Sequence, residues 1–256
     1  MLELFGGSCT MAHVFASSGW TSESFDLDRD PRENLLLPRN VRHVKFLVKN
    51  KMVDFVWIGI PCGSWSRARR GPVKSKMPSP LRGDTADAIL GLPGLSALDQ
   101  ARVEGGNRTA NFVADIVKLC VRWEVPCVVE NPQSSRLWQS PQFGPIRRFA
   151  NITTFSQCGF GTPWRKNTTL WCFNVDLGDL GPVCKTKSVN GKRVCGFTQV
   201  PHTRLSGAGD GGAFCYRARI AIPHTILHES AGGYGKASEN GSESLRLAVP
   251  ENKHRL

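Results

Sequence analysis

Apolar residues in the first half of the chain fall in short runs separated by polar stretches rich in glycine and proline, and the period of the runs changes along the way. Leu2 to Phe5 reads as a buried strand entering a tight turn at Gly6-Gly7-Ser8. Cys9 to Ser18 has the pattern of an amphipathic helix, and Gly19 is placed to end it. Ser24-Phe25-Asp26 reads as a second strand that finishes on an acid. After a loop holding Pro31 and Pro38, Val44 to Val48 is expected as a third strand. Asp54 to Ile60 is a continuous apolar run, expected as a fourth strand buried on both faces.

Residues 63 to 106 carry Pro72, Pro78, Pro80, Pro93 and repeated glycines, and are expected to form a long loop or insertion. From Arg108 to Trp123, the residues Val113, Ile116, Val117 and Cys120 fall at i, i+3, i+4 and i+7, one face of a helix, and a strand from Val125 to Glu130 follows. Ile152 to Phe155 and Thr168 to Phe173 read as two strands of a hairpin whose turn contains Pro163. Strand and helix alternating through the first 130 residues predict an α/β fold, a mostly parallel, doubly wound, Rossmann-like sheet with a C-terminal hairpin. The expected divisions are a main domain over 1–173, a small appended region over 174–229 whose Phe214 to Leu227 returns to the core, and a disordered tail over 230–256.

Composition narrows the partners. Thirty-three Lys and Arg against 21 Asp and Glu give a formal net charge of +12, which favours a polyanion. With no spanning-length apolar stretch and no basic amphipathic helix, nucleic acid is a better expectation than a membrane, and a monomer is expected. Leu2-Glu3-Leu4-Phe5 is not a secretory signal, and nine scattered cysteines read as reduced thiols, so an intracellular setting is expected.

Candidate chemistry gathers at the predicted strand ends, where ligands bind in such folds. Gly6-Gly7 permits close approach of a ligand, and a helix N-terminus after it offers N–H groups. Asp26 ends the second strand and is suited to accept ribose hydroxyls. Pro61 stiffens the turn that carries Cys62, and Arg67, Arg69 and Arg70 lie close enough in sequence to favour a thiolate and to meet phosphates. Glu130 follows Val128-Val129 at a strand end, a partly desolvated place from which a carboxyl can donate to a ring nitrogen. Trp164 offers a stacking surface, and Arg165 and Lys166 can hold a phosphate or a base oxygen. Cys184, Cys195 and His202, with Cys172 or Cys215 as a fourth, could bind zinc. They lack the short CxxC spacing of a zinc knuckle, so no metal is expected.

Taken together and in this order, Glu3-Leu4-Phe5-Gly6-Gly7-Ser8, Asp26-Leu27-Asp28, Pro61-Cys62-Gly63-Ser64-Trp65-Ser66 and Glu130-Asn131-Pro132 resemble motifs of the DNA cytosine-5 methyltransferase family. The likeness is to the short versions found in phage, viral and protist genomes, and it covers roughly Leu2 to Trp171. It implies the S-adenosylmethionine-dependent methyltransferase fold, a DNA substrate and, in a eukaryotic host, the nucleus. It implies Phe5, Gly6, Gly7, Ser8, Asp26, Leu27 and Pro61 at the cofactor, Cys62, Glu130, Arg165 and Lys166 in catalysis, and Ser64, Ser66, Arg67, Arg69, Arg70 and Trp164 on nucleic acid. Asn174 to Gly212 would be the target-recognition region. Two alternatives stay open from the residues alone: the same chemistry on RNA, or a catalytically silent nucleic-acid-binding protein of the same fold.

Overall fold

The computed structural model describes residues 1–69, 71 and 78–203, and in it the apolar runs lie side by side in one six-stranded sheet. Its strands are β1 (Leu2–Leu4), β2 (Glu23–Phe25), β3 (Val56–Gly59), β4 (Cys127–Pro132), β5 (Asn151–Ser156) and β6 (Asn167–Phe173), in the spatial order β2-β1-β3-β4-β6-β5. β2, β1, β3 and β4 are mutually parallel. β6 pairs antiparallel with β4 on one side and β5 on the other, forming the expected C-terminal hairpin. The sheet is α/β and mostly parallel, compatible with a Rossmann-like fold.

Parallel neighbours require crossovers, and helices supply them. α1 (Thr10–Ser17) joins β1 to β2, α2 (Pro38–Lys49) joins β2 to β3, and α3 (Ala97–Trp123) leads into β4. Alternation along the strands splits the core into two layers. Leu4, Ile58 and Val129 face Val44, Val48, Val113 and Val117 of α2 and α3. Trp57, Val128 and Leu170 face Met11, Ala12 and Phe15 of α1. With helices on both faces the sheet is doubly wound.

Two expectations are corrected here, and one element is added. Val44 to Val48 is not a strand but the last turns of α2: Val44, Leu47 and Val48 are buried while Phe46 is exposed, a helical period rather than an alternating one. Pro38 sits in the first turn of that helix, where its missing N–H costs nothing. The loop expected over 63–106 ends early, because α3 begins at Ala97, with the Ser96 hydroxyl accepting from the Asp99 amide at 3.2 Å. The polar stretch after β6 contains a small antiparallel hairpin of β7 (Lys187–Val189) and β8 (Lys192–Val194). The expected return of Phe214 to Leu227 and the tail over 230–256 lie outside the described residues.

Gly105 and Gly106 made the start of α3 read as loop, and they differ in function. A Cβ on Gly106 would stand 2.4 Å from Ser64 Oγ and 2.8 Å from Arg82 Nη2, whereas one on Gly105 would meet nothing within 4 Å. Gly106 is thus the gap through which the helix accepts the preceding loop. Opposite signs are expected from two neighbouring substitutions measured by urea unfolding: Gly105→Ala stabilises by about 0.5–1 kcal/mol through helix propensity. Gly106→Ala destabilises by about 1–3 kcal/mol through overpacking.

Candidate active site at the carboxyl edge of the sheet

Strand register sets the site. Leu4 pairs with Phe25 and Ile58, and Ile58 with Val129, so the next residues, Asp26, Phe5, Gly59 and Glu130, lie at one level across four parallel strands. Gly59 lets β3 close against the first turn, since a Cβ there would stand 3.2 Å from the Phe5 carbonyl oxygen. Cys62 follows Gly59 by three residues, and Glu130 is the direct strand partner of Gly59.

The turn after β1 winds through alternating left-handed residues, with Phe5 at φ 59°, Gly7 at 52° and Cys9 at 55°. Gly6 is tightly enclosed, since a Cβ would lie 2.3 Å from Ser24 Oγ and 2.8 Å from Glu3 Cδ and would force those side chains to shift. The turn offers space more than donors. The Gly6 amide donates to the Phe25 carbonyl at 3.1 Å and the Gly7 amide to Asp26 Oδ2 at 2.7 Å. The N-terminus of α1, expected to offer free N–H groups, is met by Glu3, whose carboxylate accepts from the Met11 and Ala12 amides at 3.3 and 3.0 Å. Burial pushes the Glu3 carboxyl up, against the pull of those two amides. Asp26 is buried at the end of β2 and accepts from the Asp28 amide at 2.8 Å as well as from Gly7. Leu27, next to it, is 51% exposed.

The loop bearing Cys62 is held at both ends. Asn131 Nδ2, fully buried on β4, donates to the Ile60 carbonyl at 2.7 Å, and the Trp65 amide donates to the Cys62 carbonyl at 3.0 Å. Beneath it lies Arg82, which nothing in the sequence singled out. It is 1% exposed, and its guanidinium carbon lies 3.4 Å from the centroid of the buried Trp65 ring. Its nitrogens donate to Ser64 O at 3.2 Å, Ser64 Oγ at 3.1 Å, Ile89 O at 2.9 Å, Val103 O at 3.0 Å and Asn107 Oδ1 at 2.7 Å. Desolvation pushes this guanidinium down to about 10, with the Arg136 charge acting in the same direction, so it is still a cation at neutral pH. Only a fork of five N–H donors can satisfy so many acceptors from one buried point.

Glu130 is buried and pairs with Lys166, whose Nζ lies 3.2 Å from Oε1. Lys166 ends the turn between β5 and β6, where its carbonyl accepts from the Gln157 amide at 3.0 Å. The two cations predicted together therefore separate: Lys166 reaches Glu130, and Arg165 is exposed at the hairpin tip. Trp164 is a brace, its indole N–H donating to Gln157 Oε1 at 3.0 Å, while Gln157 Nε2 donates to Thr168 Oγ1 at 3.2 Å.

Among the described residues, the arginines of the expected basic loop have acidic or carbonyl partners. Arg67 Nη1 lies 2.6 Å from Asp84 Oδ2, and Arg136 Nε lies 2.8 Å from Asp84 Oδ1, so one exposed carboxylate serves two guanidiniums. Those partners hold the Asp84 carboxyl below its ordinary value, the Arg136 hydrogen bond most strongly. Arg69 Nε donates to the Ser79 carbonyl at 2.9 Å and Nη2 lies 3.7 Å from Asp99, acids that follow the loop being the partners the sequence seemed to deny it. Ser64 serves Arg82, and Ser66 Oγ accepts from the Ala68 amide at 3.1 Å. Arg70 lies outside the described residues. A groove beside this loop is lined by Arg67, Arg69, Pro80, Ser134 and Arg136, and Ser134 and Arg136 were not anticipated. Cys184, Cys195 and His202 do converge, and their fourth neighbour is Cys158. Cys172 instead packs on β6 against the α1 side of the core, and Cys215 lies outside the described residues.

No protein-family model matches this chain, and no curated protein matches it either.

Arg82→Met is expected to lower stability by about 3 kcal/mol or more in urea unfolding, since several buried acceptors lose their donor at about 1–3 kcal/mol each. Arg82→Lys should recover only a minor part, because a single ammonium cannot span acceptors on three segments.

Proposed function

We propose that this chain is an S-adenosylmethionine-dependent DNA cytosine-5 methyltransferase. The observation that carries the reading is the meeting, at one edge of the sheet, of the Cys62 loop with a buried Glu130 paired to Lys166, beside a glycine turn at the end of β1. C5 of cytosine is too weak a nucleophile to take a methyl group unaided, and a thiol with an acid across the ring answers that weakness.

What the edge accepts and refuses supports this choice of cofactor class. Glu3 already fills the N-terminus of α1, where a dinucleotide would seat its pyrophosphate. A nucleoside cofactor without phosphate meets no such conflict. Asp26 keeps lone pairs beyond its two backbone donors for ribose hydroxyls, since a carboxylate has about four acceptor sites. Leu27 offers an exposed apolar surface for an adenine, and the Phe5-Gly6-Gly7 turn and Pro61 border the methionine end. S-adenosylmethionine, when bound, supplies an electrophilic methyl group on its sulfonium.

The residues then divide the work. Cys62 thiolate would add to C6 of cytosine, and the π pair displaced from the C5–C6 double bond would let C5 bond to the methyl carbon. That carbon's bond to sulfur breaks as the new bond forms, its electron pair staying on a neutral thioether that departs. Glu130 meets N3, taking up or giving the proton that balances charge in the ring, while Lys166 on Oε1 orients the carboxyl and can donate to the base O2. Loss of the C5 proton to a base and expulsion of Cys62 from C6 restore the aromatic ring. In a duplex the target base must leave the stack to reach this edge. Arg67, Arg69, Arg136 and Ser134 line the groove where the flanking backbone would run.

DNA carrying 5-fluorocytosine tests the reading, because fluorine at C5 cannot leave as a proton and the Cys62 bond persists. With cofactor present, a denaturation-resistant protein–DNA adduct is expected, absent in Cys62→Ser and formed about 10²–10⁴-fold more slowly in Glu130→Gln. Adduct on RNA alone would move the substrate class. No adduct on either nucleic acid, with cofactor binding shown by calorimetry, would make the chain a silent binding protein.

A further inference from the structure

Residues 178–203 form an appended region with almost no core. Among them only Cys184, Val194 and Cys195 are buried, β7 is exposed along its whole length, and Phe197 and Val200 are 40% and 59% exposed. Hydrophobic burial on that scale cannot hold a segment of this length in one conformation, and small units of this kind need a cross-link. The buried cysteines supply the means. Cys158, Cys184 and Cys195 form a cluster separate from both apolar layers, and His202 joins it, the four donor atoms lying within 4.8 Å of one another.

We propose that Cys158, Cys184, Cys195 and His202 hold one zinc ion in a tetrahedral Cys3His site that fastens the β7–β8 hairpin to the tip of the β5–β6 hairpin. Zn–S bonds of about 2.3 Å meeting at the tetrahedral angle put two sulfurs about 3.8 Å apart, and a Zn–N bond of about 2.0–2.1 Å puts sulfur and nitrogen about 3.6 Å apart. The Cys184 and Cys195 sulfurs are 3.8 Å apart, and Cys184 Sγ is 3.7 Å from His202 Nε2. Sulfurs at that separation are not a disulfide, whose bond is about 2.05 Å.

The surroundings suit thiolates. The Gly196 amide points at Cys184 Sγ and the Phe197 amide at Cys195 Sγ, each at 3.4 Å, which orients both sulfurs and stabilises their negative charge. Gly196 is required for that turn, since a Cβ would lie 2.3 Å from the Lys185 carbonyl oxygen. Phe197 lies over Gly159, next to Cys158, where a Cβ would be 3.4 Å from its ring. The Cys184 amide donates to Ser156 Oγ at 2.7 Å and the Thr203 amide to the Pro163 carbonyl at 2.8 Å, so the ligands are tied to the segment that carries Lys166. On binding, three thiols give up their protons to solvent and the imidazole coordinates through Nε2. All four positions are protein ligands, so the site is closed and structural rather than catalytic. The proposal does not depend on methyl transfer.

The full chain, purified under reducing conditions without chelator, is expected to carry roughly one zinc per molecule by mass spectrometry of the metal. Cys158→Ser, Cys184→Ser and Cys195→Ser should each bind zinc at least about tenfold more weakly, while Cys172→Ser keeps it. Since a ligand variant can simply misfold, cobalt substitution of the unaltered chain gives a second readout: thiolate-to-cobalt charge-transfer absorption with tetrahedral ligand-field bands. Chelation of the metal from the unaltered chain should open residues 178–203 to protease and leave the sheet intact. A folded, reduced chain that takes up neither zinc nor cobalt overturns the site, as does loss of metal in Cys172→Ser with retention in Cys158→Ser.

Discussion

Parallel pairing of β3 with β4 is the constraint on which the functional edge depends. It brings Ile60 and Asn131, distant in the chain, into a buried hydrogen bond of 2.7 Å and sets Gly59 opposite Glu130. Parallel strands cannot be joined by a tight turn, so all of residues 60 to 126 must loop away and return. That long excursion is where the chain places Cys62, Arg82 and α3. A shift of one residue in this pairing would turn Glu130 from the α1 side of the sheet to the other.

An excursion of that length needs internal order, and a buried guanidinium provides much of it. Arg82 joins Ser64 just beyond the Cys62 turn to Ile89, Val103 and Asn107, three points on the returning chain. The desolvation of its charge is offset by five hydrogen bonds and the face of Trp65. The same economy recurs at the other end of the site, where Glu3 caps α1 from within the sheet, and at the hairpin tip, where Gln157 joins Trp164 to Thr168. Buried polar side chains that each join several segments, Arg82, Glu3 and Gln157 among them, shape this edge together with apolar packing.

The strands were readable wherever burial on both faces left a continuous apolar run, as at Asp54 to Ile60 and Val125 to Glu130. α2 was missed because Val44 to Val48 is rich in β-branched residues, and the helical spacing of Val44, Leu47 and Val48 becomes decisive only once a crossover from β2 to β3 is demanded. Gly105 and Gly106 hid the start of α3, since a glycine that makes room for a neighbour has the same letter as one that breaks a helix. Of the candidate site, the Gly6-Gly7, Asp26, Cys62 and Glu130 positions were legible from their places at strand ends. Arg82 and Arg136 were not, because a cation's role is set by partners distant in sequence. Cys158 escaped for a related reason: it belongs to the β5–β6 turn, 26 residues before Cys184, and only the folding of the appended region onto that turn makes them neighbours.

The exposed carboxylate of Asp84, shared by Arg67 and Arg136, gives the groove its own built-in counterion. A phosphate entering there would displace a tethered anion as well as salt ions from solution. A tethered anion is not diluted by the bulk, so its displacement adds nothing to the usual dependence of polyanion affinity on ionic strength. The count of 33 Lys and Arg therefore overstates how many cations set the fall of polyanion affinity as salt rises. It also leaves the arginines already oriented before any ligand arrives, so part of the ordering cost is met during folding.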